Sequence, residues 1–256
     1  MEYVIICLVA LLGSALTFFS GFGLATLLVP VFAVFFPIDV AIGLTAIVHF
    51  LNNLFKLLLV GRNADRGVAL RFGLPALLAA FAGAWVLTLL TGMQPLHEYE
   101  LWDRHAAITP VKLTVAVLLA AFALIDLVPS LSAISFSRRY LPVGGLLSGF
   151  FGGLSGNQGA LRSAFLIRIG LSKEAFIATG VVIAVMVDVA RLSVYSQKIF
   201  AGSSSDIPLV AAATLSAFAG AYWGNKLLKK VTISALQVMV GVLLLVFALM
   251  LGAGVI

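Results

Sequence analysis

The stretch GGLSGNQGALRSAFLIR, residues 152–168, sits inside one of the most apolar parts of an apolar chain, yet it carries four glycines, an Asn-Gln pair and an arginine. The apolar block around it, residues 141–170, would reach about 45 Å as one helix, against a hydrocarbon core near 30 Å. That is too long for one straight crossing, and the glycines allow the chain to unwind or reverse. Whether the backbone kinks here and continues or turns back decides the fold.

Composition sets the setting for that choice. Hydrophobic residues make up 62% of the chain and charged residues 10%, with a mean hydropathy of +1.17, far outside the range of soluble domains. The apolar runs lack the polar-apolar alternation of a membrane β-barrel strand, so the expectation is an all-α integral membrane protein. The net charge of +6 does not imply nucleic-acid binding, because the basic residues fall in short loops between apolar spans. The single cysteine, Cys7, leaves no internal disulfide and no cysteine metal cluster. No cleavable signal peptide is expected, since the N-terminus lacks a basic region ahead of its apolar run.

Eight apolar blocks follow one another: residues 3–36, 38–60, 72–91, 108–128, 141–170, 175–195, 207–224 and 233–252. Only the first and fifth are overlong, and both contain a glycine break, FFSGFG at 18–23 and GLSGNQG at 153–159. Matching words recur between the halves. Ser20-Gly21 returns as Ser155-Gly156, Ala41 and Thr45 as Ala175 and Thr179, and AFAGA at 80–84 as 217–221, at offsets of 135, 134 and 137. Two copies of one unit, residues 1–128 and 129–256, explain that ordered series within a single membrane domain.

Basic residues orient the copies. If both broken blocks are re-entrant hairpins, Arg62, Arg66, Arg71, Arg138, Arg139, Arg168, Lys173, Lys226, Lys229 and Lys230 share one side, with only Arg104, Lys112 and Lys198 opposite. If both are single kinked crossings, the bias disappears. The positive-inside rule therefore favours hairpins, each followed by three transmembrane helices. Each unit then has an odd number of crossings, the two repeats are inverted, and both termini lie outside.

A polar break at membrane depth needs protein or a water-filled cavity around it. In a hairpin the second arm starts at the tip, so its first-turn amides and positive dipole end point into the bundle, an arrangement suited to anions. The expected substrate site is Ser20, Gly21, Phe22 and Gly23 at one tip and Ser155, Gly156, Asn157, Gln158 and Gly159 at the other. Arg162, in the first turn after the second tip, adds a guanidinium that can grip an oxyanion with two N–H groups; its other reading is structural, an ion pair with Asp188 or a cap on the carbonyls of the opposing tip. Asn52 and Asn53 are expected along the pathway, since adjacent amides in lipid need partners. Asp188 and Arg191, three apart on one helix face, either neutralise each other or serve in coupling and gating, with Asp188 exchanging between Arg191 and Arg162. Lys56, five residues from Gly61, is expected to snorkel to the surface, with contact to substrate as the lesser alternative. His49 either joins the pathway or bonds a neighbouring helix, and the 19 phenylalanines read as lipid-facing bulk.

SGFGLATLLVPVF at 20–32 and SGNQGALRSAFLIRIGLSKEAFIATG at 155–180, each leading to an Ala-x-x-x-Thr span, resemble the sulfite exporter TauE/SafE family, also called TSUP, across essentially the whole chain. The resemblance implies a bacterial-type inner-membrane carrier of sulfur-containing anions such as sulfite, sulfonates or sulfoacetate, with no cofactor. Partners would be the anion, the bilayer and a possible second copy in a homodimer. The family's usual break is the denser G-x-G-G-G. Here the second reads Gly156-Asn157-Gln158-Gly159 and the first Gly21-Phe22-Gly23-Leu24, so the differences fall where an anion would be held.

Two rival readings are weaker. GLSG at 153–156 also matches the serine motif of intramembrane rhomboid proteases, but their partner histidine follows the serine, whereas His49, His97 and His105 all precede Ser155. An anion channel would need a continuous polar lining, which isolated charges do not supply. A P-loop is absent from the sequence, so no ATP-driven pump is expected. Neither a catalytic residue nor a metal site is expected.

Overall fold

The computed structural model describes residues 1–20, 23–101, 104–128, 130, 136–167, 169–202, 206–227 and 233–256. Ten helices run through these residues: α1 Glu2–Ser20, α2 Leu24–Ala33, α3 Ile38–Val60, α4 Arg66–Thr91, α5 Pro110–Leu127, α6 Leu141–Ser155, α7 Gly159–Leu166, α8 Lys173–Gly202, α9 Ile207–Leu227 and α10 Ile233–Gly252. The protein is an all-α integral membrane protein, and four segments, Ile38–Asn63, Arg66–Thr91, Lys173–Tyr195 and Ile207–Lys226, are long and apolar enough to cross a bilayer.

Side-chain size sorts the faces. Along α4, Leu70, Leu74, Leu78, Phe81, Trp85 and Leu89 are exposed at helical spacing, whereas the buried face is mostly small, with Ala69, Gly73, Ala76, Ala80, Gly83 and Ala84 beside Val68, Phe72 and Leu87. Large apolar groups outward and small ones inward is the pattern of helices packed in lipid, where close backbone approach replaces a hydrophobic driving force. That approach is tightest between α4 and α6. A Cβ on Gly145, Gly149 or Gly153 would fall 2.0–2.2 Å from the carbonyl oxygens of Phe72, Ala76 and Ala80. The α1–α9 contact is alike, since a Cβ on Gly220 would lie 2.0 Å from the Leu11 oxygen.

Both long apolar blocks turn back. Gly144 of α6 faces the ring of Phe165 in α7, and Ser148 Oγ donates to the Gln158 carbonyl at 3.2 Å. Gly156 makes the reversal at φ 79°, the left-handed region that glycine enters without a side-chain clash. In the first block, Gly13 of α1 faces Leu24 and Leu27 of α2. At 15 residues, α6 is about 22 Å long, short of a full crossing.

Between α4 and α5 the chain forms an antiparallel ribbon, β1 His97–Leu101 with β2 Arg104–Ile108, in register His97 to Ile108. The sequence reading contained no strands. The ribbon is clasped to the C-terminal end: Tyr99 Oη donates to the Ala253 carbonyl, and Ala107 N to that of Gly254. The phenylalanines also divide differently from expectation, since Phe32 and Phe72 are fully buried and Phe165 nearly so.

Candidate functional site

The centre of the bundle is a buried polar network between α3 and α8. Asp188 is fully buried and accepts at Oδ1 from Arg191 Nε at 2.9 Å and Nη2 at 2.8 Å. Its other oxygen faces His49 Nδ1 at 2.8 Å and accepts from Asn53 Nδ2 at 3.2 Å. Each carboxylate oxygen is therefore occupied, which offsets much of the cost of burying the charge. His49, Asn53 and Lys56 stand at i, i+4 and i+7 on one face of α3. Asn52, also buried, turns to α1, where Ser14 Oγ donates to its Oδ1 at 3.1 Å.

Beside this network is a cavity of about 40 Å³, against the ~10–15 Å³ one buried water needs on the same measure. Such a space suits a small ion. Its walls come from both halves of the sequence: Thr17, Phe18, Gly23 and Leu24 from the first hairpin, His49, Asn53 and Lys56 from α3, Arg162 and Leu166 from α7, and Phe176, Ile177, Gly180, Val181 and Ala184 from α8. Neither Asp nor Glu is among these lining residues. The Arg162 guanidinium lies along α8, its Nε 3.4 Å from where a Cβ on Gly180 would sit, so glycine leaves the room the planar group needs.

Of the nominated substrate residues, Gly23, Asn53 and Arg162 line this cavity. Gly21 and Phe22 lie outside the described residues, as does the side chain of Ser20, the last residue of α1. The second tip lies against Arg191 instead, since a Cβ on Gly156 would meet Arg191 Nη1 at 2.8 Å. Ser155 Oγ donates to the Phe151 carbonyl and accepts from Asn157 N at 3.3 Å, closing the end of α6. Gly159 opens α7. Among the described residues, the Asn157 amide, Gln158 Oε1 and Arg191 Nη1 are buried without a hydrogen-bond partner.

Lys56 is the clear correction to the sequence reading. It does not snorkel: it is 5% exposed and lines the cavity, with Nζ 5.3 Å from the centre of the Phe18 ring. Aromatic and cavity surroundings hold it inward. The signal for it was the stripe His49, Asn53, Lys56, whose spacing puts all three on one helix face.

With that geometry in place, one comparison decides the family. The sulfite exporter TauE/SafE family model matches residues 6–251. This chain belongs to that family. Among curated proteins none matches it. Membership makes the chain a multi-pass membrane transporter of the sulfite and anion exporter type, and TauE/SafE proteins are a transporter family rather than an enzyme family.

Proposed function

We propose that this TauE/SafE protein carries small sulfur-containing oxyanions (sulfite, sulfonates or sulfoacetate) across a bacterial-type inner membrane by alternating access. The substrate is held at the centre of the bundle between the two hairpins. The observation that carries this reading is the buried cavity lined by Lys56 and Arg162 with no carboxylate among its lining residues, since paired cations in a low-dielectric site are stabilised by an anion.

Alternating access is supported by where that cavity lies. It extends from the Asp188 network along His49, Asn53 and Lys56 toward the Val60 end of α3, and along Ala184, Gly180 and Phe176 toward the Lys173 end of α8. Those ends adjoin the basic loops and face the cytoplasm under the positive-inside rule. On the far side of the network the chain is shut by Leu28, Val29, Phe32 and Leu154, all buried, and by Tyr195 Oη donating to the Gly153 carbonyl. A cavity on one side and a packed seal on the other is what one half-cycle of a rocking carrier requires.

The two repeats 1–128 and 129–256 are supported by contacts that interchange when the halves are swapped, and their inversion by the basic-residue bias. Helix α1 packs on α9 as α6 packs on α4, while α3 pairs with α8 and α5 with α10. An intramembrane serine protease is disfavoured by Ser155, whose hydroxyl is spent on its own helix.

Purified protein should be stabilised against heat by sulfite, sulfate, sulfoacetate or isethionate, and proteoliposomes should exchange labelled sulfite. If zwitterionic taurine stabilises it and every anion fails, the anion-carrier reading is wrong.

A further inference from the structure

We propose that His49 is the proton carrier of this transporter: its Nε2 takes up a proton when an anion enters the cavity and gives it up when the anion leaves on the other side. This rests on the anion-carrier reading and deepens it. His49 is buried, belongs to the Asp188 network and lines the cavity. Its two ring nitrogens meet different surroundings. Nδ1 lies 2.8 Å from Asp188 Oδ2, and since an ionised carboxylate only accepts, Nδ1 carries a hydrogen. Arg191 Nη2, 3.5 Å from Nδ1, is bonded to the same carboxylate. The neutral ring therefore offers a lone pair at Nε2, with Asn53 Nδ2 3.3 Å away and also bonded to Asp188. A Cβ on Gly23 would stand 3.3 Å from Nε2. Gly23 sits at φ −83° and ψ 145°, which any residue adopts, so glycine serves there for room rather than for backbone freedom. The room it leaves is beside Nε2, in the cavity wall.

The charged groups that face the ring are Asp188 and Arg191 from α8, Lys56 from its own helix and Arg162 from α7, across the cavity. Helices α2, α5 and α9 also pack on α3. The first has no titratable side chain, and those of α5 and α9 (Lys112, Asp126, Tyr222 and Lys226) fall within two turns of the helix ends. Asp188 favours the imidazolium, whereas the three cations oppose it. So does the positive end of α2, whose Gly23 and Leu24 line the cavity and whose first turn no side chain caps. An anion beside Nε2 tips that balance. A neutral ring would set its lone pair against those of the oxyanion, but a protonated Nε2 donates to it. The proton comes from water on the side where the anion enters, and only the N–H bond forms and later breaks. One monoanion and one proton then cross together without net charge. Asp188 is a positioning residue in this step, because it keeps Nδ1 occupied and Nε2 turned to the cavity.

Isethionate and sulfate are suitable probes, since neither titrates near neutral pH and any proton taken up on binding belongs to the protein. The other two histidines, His97 and His105, are exposed on the ribbon, so His97→Gln with His105→Gln leaves His49 as the only imidazole. Nitrogen-15 NMR of that variant, labelled at histidine, should show a bare Nε2 without anion and two N–H groups with isethionate bound. Binding that takes up a proton weakens as pH rises, so isethionate affinity should fall by up to about tenfold per pH unit through the histidine titration. His49→Asn, whose amide can replace Nδ1 against Asp188, should make that profile flat, with melting temperature as the folding control. If isethionate or sulfate binds while the ring stays the same, bare or already charged, the proposal is overturned and the carrier reading stands. A proton taken up with no change at Nε2 belongs to Asp188 or Lys56 and overturns it equally, as does a His49→Asn variant that keeps the pH profile. Protein that binds neither anion at any pH sinks the anion-carrier reading and this proposal together.

Discussion

Asp188 holds Arg191 with one oxygen and His49 and Asn53 with the other, so removing its charge strands a buried guanidinium. Asp188→Asn should cost about 3–5 kcal/mol, the usual penalty for breaking a buried pair from one side, read as a marked drop in melting temperature. Adding Arg191→Gln should recover much of it, because the stranded charge goes too. This cycle also separates two roles. If Asp188 takes up a proton when an anion draws a cation away from it, Asp188→Asn should flatten the pH dependence of transport more than it weakens binding. Unchanged pH dependence with rescue in the double variant leaves Asp188 a structural clasp. Arg162 belongs to the cavity, and its loss should act on transport. Arg162→Ala should abolish sulfite exchange in protein that still folds and reaches the membrane, and Arg162→Lys should recover little of it, since an ammonium cannot offer the bidentate fork. Normal exchange by the alanine variant would place the substrate elsewhere.

The hairpin arms are positioned by glycines that allow backbone against backbone. Gly149 faces the Ala76 carbonyl and Gly220 the Leu11 carbonyl, each 2.0 Å from where a Cβ would stand. Carbonyl groups inside a helix cannot swing aside as a side-chain end can, so Gly149→Ala and Gly220→Ala should each destabilise by at least the ~1–3 kcal/mol of ordinary overpacking. Gly92→Ala, whose Cβ would make an ordinary 3.6 Å contact, should be nearly silent in the same melting assay. Equal melting of all three would refute this account of the α4–α6 and α1–α9 interfaces. These elements were legible because lipid imposes a simple code: apolar length gives the spans, and glycine breaks in overlong blocks give the hairpins. The ribbon His97–Leu101 with Arg104–Ile108 was not legible, because it is a short pairing in a polar loop and what docks it, the Ala253 and Gly254 carbonyls, lies far along the sequence. The cavity was legible only in part. Arg162 announced itself as a charge beside a tip, whereas Lys56 was assigned outward from its distance to the helix end, a one-dimensional measure blind to which face it shares with His49 and Asn53.

Across the whole molecule, the sides of the membrane follow from which loops are tied together. At one end Asp65 N donates to Thr179 Oγ1 at 2.9 Å and Arg138 Nη2 lies 3.8 Å from Asp65 Oδ2, bringing the loop after α3, the segment before α6 and the start of α8 to one level. Those segments carry Arg62, Arg66, Arg138, Arg139 and Lys173. At the other end the ribbon after α4 is bonded to the C-terminus. On the positive-inside rule we propose that the first group lies in the cytoplasm and the ribbon with the C-terminus outside. Lys229, which lies outside the described residues, is the discriminating position, because it shares a side with Arg66 only if the second broken block returns to the side it entered. In a Cys7→Ser background, single cysteines at Arg66 and Lys229 should react with an impermeant maleimide only after the cytoplasmic face is opened, and one at the exposed Glu98 should react in intact cells. Labelling at 229 from outside, with 66 still protected, would mean that the second block crosses the membrane and that the two repeats run parallel.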